Sequence, residues 1–355
     1  VRDWSGTLFK EELCHHLVRE MEFDYMAGQT VIVFINGEYW GIHSLRERQD
    51  EDYLRMNHDL SNPEVDIIAH KLRVGLEVEE GSVDAYNELL DILSTADLSG
   101  EEGFSLIGEL LDVNSITDYY IAELYFANGD FPHNNYKIWK EQSTKGKWNW
   151  LFYDCDACMF RTRYDHLSEY FSPVGSIGTH DEWTLEIFRK VLQNELFRDH
   201  FIQRLLYHIQ HTFEPSRVIA EIDRFEEMYR PLIPEHIFRW NQPNEVIKWV
   251  HNVSMLRTFA IQRSPELLVQ LQKNLGSPLS IWPNPSAGEI HIKHPLSGEL
   301  GISIRSLTGT ALYSGHFTAA AEGEELLVNT ELPPGMYILT LAGPSLSFSE
   351  KLIIE

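Results

Sequence analysis

Residues 125–160 read YFANGDFPHNNYKIWKEQSTKGKWNWLFYDCDACMF. A polar loop dense in Asn, Asp and His passes through a short Lys/Gly turn into an aromatic stretch that ends on two aspartates. If that stretch is a strand, its side chains alternate, so Trp148, Trp150, Phe152, Asp154 and Asp156 share one face. Two carboxylates are then expected to project together where the strand ends. A pair of this kind suits a divalent cation, because Mg²⁺ takes one or two protein carboxylates and fills its other positions with water and phosphate oxygens.

Upstream, Asp130 and Asn135 stand in the spacing D-x-x-x-x-N. In a protein-kinase catalytic loop that spacing supplies a base for the acceptor hydroxyl and a second metal ligand, while a strand-end Asp holds the other Mg²⁺. The pattern therefore implies phosphoryl transfer. Asp130 is expected to orient or deprotonate the acceptor, and Asn135 to give a neutral amide oxygen to a metal. Asp154 is expected to hold the cation that bridges the β- and γ-phosphates, with Asp156 as a second ligand or its positioner. Asn134 is expected among the cofactor-binding residues or, with Asn128, to hold the loop backbone, and His133 either to contact phosphate or to cap the loop. Each has a plainer reading as an ordinary turn residue, since Asn, Asp and Pro crowd surface turns.

Working outward, composition bounds the partners. The chain has 355 residues, 43% hydrophobic and 12% aromatic, enough for two domains and a large core. Its 54 acidic against 29 basic residues give a formal charge of −25, which repels nucleic-acid phosphates and anionic lipids. No nucleic-acid partner is expected. Three cysteines are too few for a disulfide framework. No apolar run approaches the roughly 20 residues of a transmembrane helix, so no transmembrane segment is expected.

Residues 6–21 have helical spacing at Leu13, Leu17 and Met21. TVIVFI, Asn36-Gly37 and EYWGIHSL then form a hairpin signal, because Asn-Gly fits a two-residue primed turn. The second strand leads into Arg46, Glu47 and Arg48, where a base is expected to touch nucleotide phosphates with Glu47 fixing it; a solvated charge run is the plainer reading. Residues 50–125 read mostly as helix, with Tyr119 and Phe126 as core. A long polar stretch follows at 161–183, and 183–275 reads as helical, interrupted by PEHIFRWNQP. After Gly276-Ser277-Pro278 the chain turns strand-like, with alternation at Ile302, Ile304 and at Tyr337, Leu339, Leu341, as in a β-sandwich.

IAELYFANGDFPHNNYKIW with GKWNWLFYDCD resembles the CotH kinase family, the spore-coat protein H-like atypical kinases, as do FINGEYWGIHSLRERQDEDYL (34–54) and EWTLEIFRKVLQNELFRDHFIQRLLYHIQHTF (182–213). The resemblance covers roughly residues 2 to 275. It implies an α+β kinase-like domain over 1–276, with an N-terminal hairpin or sheet and a mostly helical remainder, N-terminally incomplete for want of a G-x-G-x-x-G loop. It also implies ATP and Mg²⁺ or Mn²⁺ as cofactors, and a protein acceptor through Ser, Thr or Tyr, received near 161–183.

Residues 277–355 resemble the type A C-terminal sorting domain of the type IX secretion system of Bacteroidetes, on Pro283-Asn284-Pro285, Gly288, Gly309, LPPGMY (332–337) and Lys351-Leu352-Ile353. This small all-β sandwich implies a partner in the type IX machinery and a secreted or outer-surface location; a carbohydrate-binding or adhesive sandwich is the alternative.

Relatives carry an aromatic residue and a Gly after the second aspartate, where this chain has Ala157-Cys158-Met159. The departure leaves two other readings open: a degenerate, non-catalytic surface binder, and a metal-dependent D-x-D glycosyltransferase. It also creates the C-x-x-C pair Cys155 and Cys158, either two buried thiols or a redox or zinc site, the latter drawing on His133, His166 or His180.

Overall fold

The computed structural model describes residues 3–71, 74–171, 183–275, 279–296, 298–320, 324–343 and 346–355. They form two compact units, Val1–Phe201 with Thr212–Leu267, and Ile202–His211 with Leu268–Glu355. Helix α1 (Lys10–Leu17) buries Leu13, Cys14 and Leu17. Strands β1 (Gly28–Ile35) and β2 (Glu38–Arg46) form the expected hairpin. Its turn residues Asn36 and Gly37 take φ of 52° and 84°, the left-handed pair that a primed turn requires.

Past α2 (Glu51–Asn57) the helical expectation for 50–125 fails over one stretch. Residues 65–80 form β3 (Val65–Lys71) and β4 (Gly75–Glu80), an antiparallel pair. VDIIAHK is a short apolar run, six of its seven residues buried, and such a run carries no period that separates strand from helix. Helices α3 (Asp84–Thr95), α4 (Gly100–Leu110) and α5 (Val113–Phe126) follow, then β5 (Tyr136–Glu141) and β6 (Asn149–Trp150). The sheet order is β4-β3-β5-β6, so the strand after the polar loop lies at the centre, between β3 and β6. Tyr53, Leu54, Val65, Ile67, Trp139 and Leu151 form one buried cluster against it.

The polar stretch at 161–183 contains α6 (His166–Phe171); its residues 172–182, His180 among them, lie outside the described residues. Helices α7 (Trp183–Val191), α8 (Glu195–Gln210), α9 (Pro215–Tyr229), α10 (Ile233–Trp240) and α11 (Val246–Leu275) complete the helical part. PEHIFRWNQP interrupts the helices, as expected, only at its end, between α10 and α11. Pro234 sits in the first turn of α10, where a missing N–H costs nothing, and the helix stops at left-handed Asn241. Among the described residues no helix is long and apolar enough to cross a membrane.

The second unit holds two antiparallel sheets, β10-β9-β12-β13 and β11-β8-β7. The seven strands are β7 (Ser280–Trp282), β8 (Glu289–Lys293), β9 (Gly298–Ser306), β10 (Ala311–Ala319), β11 (Glu325–Asn329), β12 (Gly335–Ala342) and β13 (Ser347–Ile354). Ile302, Ile304, Leu339 and Leu341 of one sheet and Ile290 and Ile292 of the other are buried, the inner faces of a sandwich. The P-N-P-x-x-G motif has a structural job here. Asn284 accepts the Ile353 N–H at 2.9 Å and donates to the Lys351 carbonyl at 2.7 Å, and a Cβ on Gly288 would lie 2.5 Å from the Thr330 carbonyl oxygen.

In the first unit one buried cation fastens the helices to the loops. Arg263 of α11 has no exposed surface. Its guanidinium donates to the carbonyls of Tyr125 (3.0 Å), Thr162 (2.7 Å), Tyr164 (2.9 Å) and Leu124. Burial lowers its pKa to about 10, so it stays charged at neutral pH. Arg263→Ala leaves these carbonyls without their donor and opens a void, and is expected to lower stability by about 3 kcal/mol or more. Urea unfolding measures this; a midpoint equal to that of the wild type contradicts it.

Candidate active site

The polar loop is suspended from the end of α5. Ala127 closes that helix in the left-handed region, with its N–H shared between the carbonyls of Glu123 and Leu124. Asn128, wholly buried, accepts the Asp130 N–H on its side-chain oxygen at 3.2 Å, and its carbonyl meets His166 Nε2 at 2.8 Å. Phe131 packs edge-on against Tyr119, Tyr120 and Tyr170, and the Thr184 hydroxyl donates to the Pro132 carbonyl. Asn128 thus holds the loop, as expected, and holds it from the Asp130 side.

The aromatic stretch departs from a regular strand before it reaches the aspartates. Ladder pairing ends at Trp150 and bridging at Leu151, and Asp154 takes φ 52°. A left-handed residue breaks the two-residue alternation, so strand geometry does not align Asp154 with Asp156. A turn does instead. The Cys158 N–H donates to the Cys155 carbonyl, and a Cys155–Cys158 disulfide closes the turn, so the two cysteines are not the free buried thiols of the plainer reading. Both aspartates still line one cleft.

Loop and turn are tied by backbone and amide contacts. The Gly129 N–H donates to the Ala157 carbonyl at 3.3 Å, the Met159 N–H to the Phe126 carbonyl at 2.7 Å, and Asn135 Nδ2 to the Asp154 carbonyl at 3.3 Å. Asn135 is itself left-handed, at φ 61°. Burial raises the Asp154 pKa, and the charges of Asp156 and Asp130 add to the rise. Three carboxylates therefore share one electrostatic neighbourhood.

The cleft has a volume of about 770 Å³, and Asp154, Asp156, Arg46, Lys71, Lys137 and Glu79 are among its lining. Glu47 and Arg48 also line it, while Asp130, Asn134 and Asn135 lie outside that lining. Arg46 is paired by Glu11 of α1. The expectation that Glu47 fixes this base is corrected, because the Glu47 carboxylate accepts the Ala27 N–H at 2.8 Å. Arg48 is 89% exposed and stands 3.4 Å from Asp50.

Sequence reasoning passed over the two lysines. Lys137 on β5 pairs with Glu79 at 2.7 Å, and Lys71 on β3 bridges Glu77 (2.6 Å) and Glu79 (2.9 Å). Burial would raise the Glu79 pKa, but bonds to Lys137 and Lys71 outweigh it and hold the carboxyl low. The missing signal was the β3–β4 hairpin, since the period of 65–80 was read as helix.

The two aspartates that line the cleft offer hard oxygens, which suit Mg²⁺ or Mn²⁺ over a soft ion, and the Asn135 side chain adjoins them through its bond to the Asp154 carbonyl. Two carboxylates whose ionisation is opposed by burial and by each other are the charge arrangement that a bound cation relieves.

Beneath the loop lies Glu123 of α5, with no exposed surface. Burial pushes its pKa up to about 8, with Asn128 and Tyr119 only partly offsetting the shift, so it is mostly protonated at neutral pH. Between the unfolded carboxyl value and about 8 the folded chain holds a proton that the unfolded chain does not. Stability is therefore lost as pH rises through that window. Glu123→Gln imitates the neutral acid. Relative to this variant, the wild type is expected to lose about 1.4 kcal/mol per pH unit between roughly pH 5 and 8. Denaturant melts across that range check it, and parallel curves for the two proteins contradict it.

The family described as CotH kinase protein matches residues 1–267, and the Secretion system C-terminal sorting domain matches residues 280–355. Among solved structures, the crystal structure of a Helicobacter pylori proinflammatory kinase CtkA is similar over 77% of this chain and 88% of that one, with 12% identity and a TM-score of 0.35. No curated protein matches the chain.

Proposed function

The chain belongs to the CotH kinase family, and from that premise we propose that its kinase-like part, residues 1–276, moves the γ-phosphoryl group of ATP to a Ser, Thr or Tyr hydroxyl of a protein. The C-terminal sorting domain indicates secretion or the cell surface. On our reading residues 277–355 address the protein to type IX secretion machinery. The observation that carries the catalytic reading is the joining of loop and turn by the Asn135-to-Asp154 bond, with Asp130 contributing to the charge that Asp154 feels.

In this reading Asp130 takes the acceptor proton as the acceptor oxygen bonds to the γ-phosphorus and the bond to the β–γ bridging oxygen breaks. A late proton acceptor of this kind need not be a strong base. Asp154, Asp156 and Asn135 would hold Mg²⁺ or Mn²⁺, which when bound neutralises charge on the phosphate oxygens. Asn134 supports the loop. Lys137 and Lys71 supply cationic groups for the phosphates from the floor of the cleft, with Arg46 and Arg48 from its hairpin side and Glu47 securing the hairpin to Ala27. The acidic partners of Lys137 and Lys71 hold them in place.

Incubation with γ-labelled ATP and Mg²⁺ tests this, using the full chain and a protein acceptor mixture. Asp130→Ala is expected to slow transfer by about 10²- to 10⁴-fold. Asp154→Ala is expected to remove metal-dependent transfer, and Lys137→Ala to raise the KM for ATP more than it lowers kcat. Equal labelling by all four proteins removes the assigned roles. ATP binding that ignores metal supports a non-catalytic binder, and stabilisation by UDP-sugars without ATP supports a glycosyltransferase.

A further inference from the structure

All three cysteines of the chain meet at one point. Cys155 and Cys158 are bonded to each other, and the free cysteine, Cys14 of α1, completes a group whose sulfurs all lie within 4.8 Å of one another. Met159 brings a fourth sulfur, its Sδ 3.9 Å from Cys14 Sγ. The three cysteines have no exposed surface, and Met159 is 3% exposed. Among the described residues this is the one group in which three or more His, Cys, Asp or Glu side chains bring their ligand atoms that close together, and every member is a cysteine. His166, a zinc-ligand candidate from the sequence, is engaged with Asn128 and Glu169 instead.

We propose that Cys14, Cys155, Cys158 and Met159 form a second metal site, for Cu(I), which the Cys155–Cys158 bond closes and two-electron reduction opens. A dithiol or phosphine gives two electrons to the bond. The dithiol becomes its own disulfide, or the phosphine its oxide with oxygen from water, and the chain gains two thiols. Cu(I) then binds the three sulfurs as thiolates, and their protons pass to solvent. Thiolate and thioether are soft ligands and select Cu(I), whereas Mg²⁺ goes to the oxygen donors of the neighbouring aspartates. Structural zinc takes four thiolate, imidazole or carboxylate ligands, and this set offers only three, its fourth sulfur being a thioether.

A buried cation lies near the sulfurs. Lys10 is 2% exposed and donates to the Asp156 carbonyl at 2.6 Å. Burial, with the charges of Asp3 and Glu11 adding to it, disfavours the Cys14 thiolate, and the Lys10 charge opposes them only in part; a bound cation acts in the same sense as Lys10. A metal held here ties α1, which carries Glu11 of the cleft lining, to the turn that carries Asp156.

The test is an anaerobic titration of the full chain with Cu(I) alone, after phosphine reduction and desalting, against a chromophoric Cu(I) chelator. One equivalent taken up with thiolate-to-copper absorption in the near ultraviolet, indifferent to excess Mg²⁺ and absent from unreduced protein, supports the site. Cys14→Ser is expected to weaken binding at least about tenfold. Met159→Leu is expected to weaken it less and to shift the absorption. Circular dichroism shows whether each variant folds, and Met159→Leu decides the matter if Cys14→Ser does not. No uptake in competition with the chelator overturns the site. So does equal uptake by Cys14→Ser, a folded Met159→Leu identical to wild type, or displacement of Cu(I) by Zn(II).

Discussion

The guanidinium of Arg263 is the contact on which the arrangement of the site depends. A helix end leaves its last carbonyls unpaired, and α5 ends deep in the first unit, where water cannot satisfy them. Arg263 donates to the Tyr125 carbonyl and to that of Leu124, which also shares the Ala127 N–H, and to two more in the segment after the aspartates, Thr162 and Tyr164. One side chain therefore sets the point from which the Asp130 loop departs and the path by which the chain leaves the D-x-D turn. Ordinary neutral hydrogen bonds would do this less rigidly, because those to a charged donor are roughly twice as strong.

From that anchor the site is assembled by short polar contacts between two segments that would repel each other as bare charges. Gly129 to Ala157, Asn135 to Asp154 and Met159 to Phe126 are neutral bonds, and they hold Asp130, Asp154 and Asp156 in one neighbourhood. Glu123 avoids adding a fourth charge by staying mostly protonated at neutral pH. Across the cleft, Lys71 and Lys137 share Glu79. Acidic and basic surfaces thus face a common space, an arrangement suited to a metal–phosphate ligand and ill suited to an apolar one.

The motif residues were legible because loop chemistry and spacing survive any error in secondary structure. Asp130, Asn135, Asp154 and Asp156 were identified from short patterns, and the Asn36-Gly37 turn from the one dipeptide that fits its dihedral angles. Lys71, Glu79 and Lys137 were not, since VDIIAHK is equally apolar as strand or helix and its pairing partner, β5, lies beyond three intervening helices. The shared face assigned to the two aspartates assumed an unbroken strand. The left-handed backbone at Asp154 broke that alternation, and a turn restored the proximity. Cys14 lay far from the C-x-x-C in sequence, which is why histidines were considered as its companions.

By itself the sequence determined the order of parts: an Asn-Gly hairpin, a polar loop with D-x-x-x-x-N, a D-x-D tip, a helical block and a Gly/Pro-punctuated β-sandwich. These are set by local dihedral preferences and by periodicity, which neighbouring residues suffice to express. Only the tertiary structure decided which charges meet. The pairing of Arg46 with Glu11, the Lys71–Glu79–Lys137 group, the four carbonyls on Arg263 and the gathering of the sulfurs join residues that lie far apart along the chain. Such contacts depend on how elements pack, and no local pattern records them.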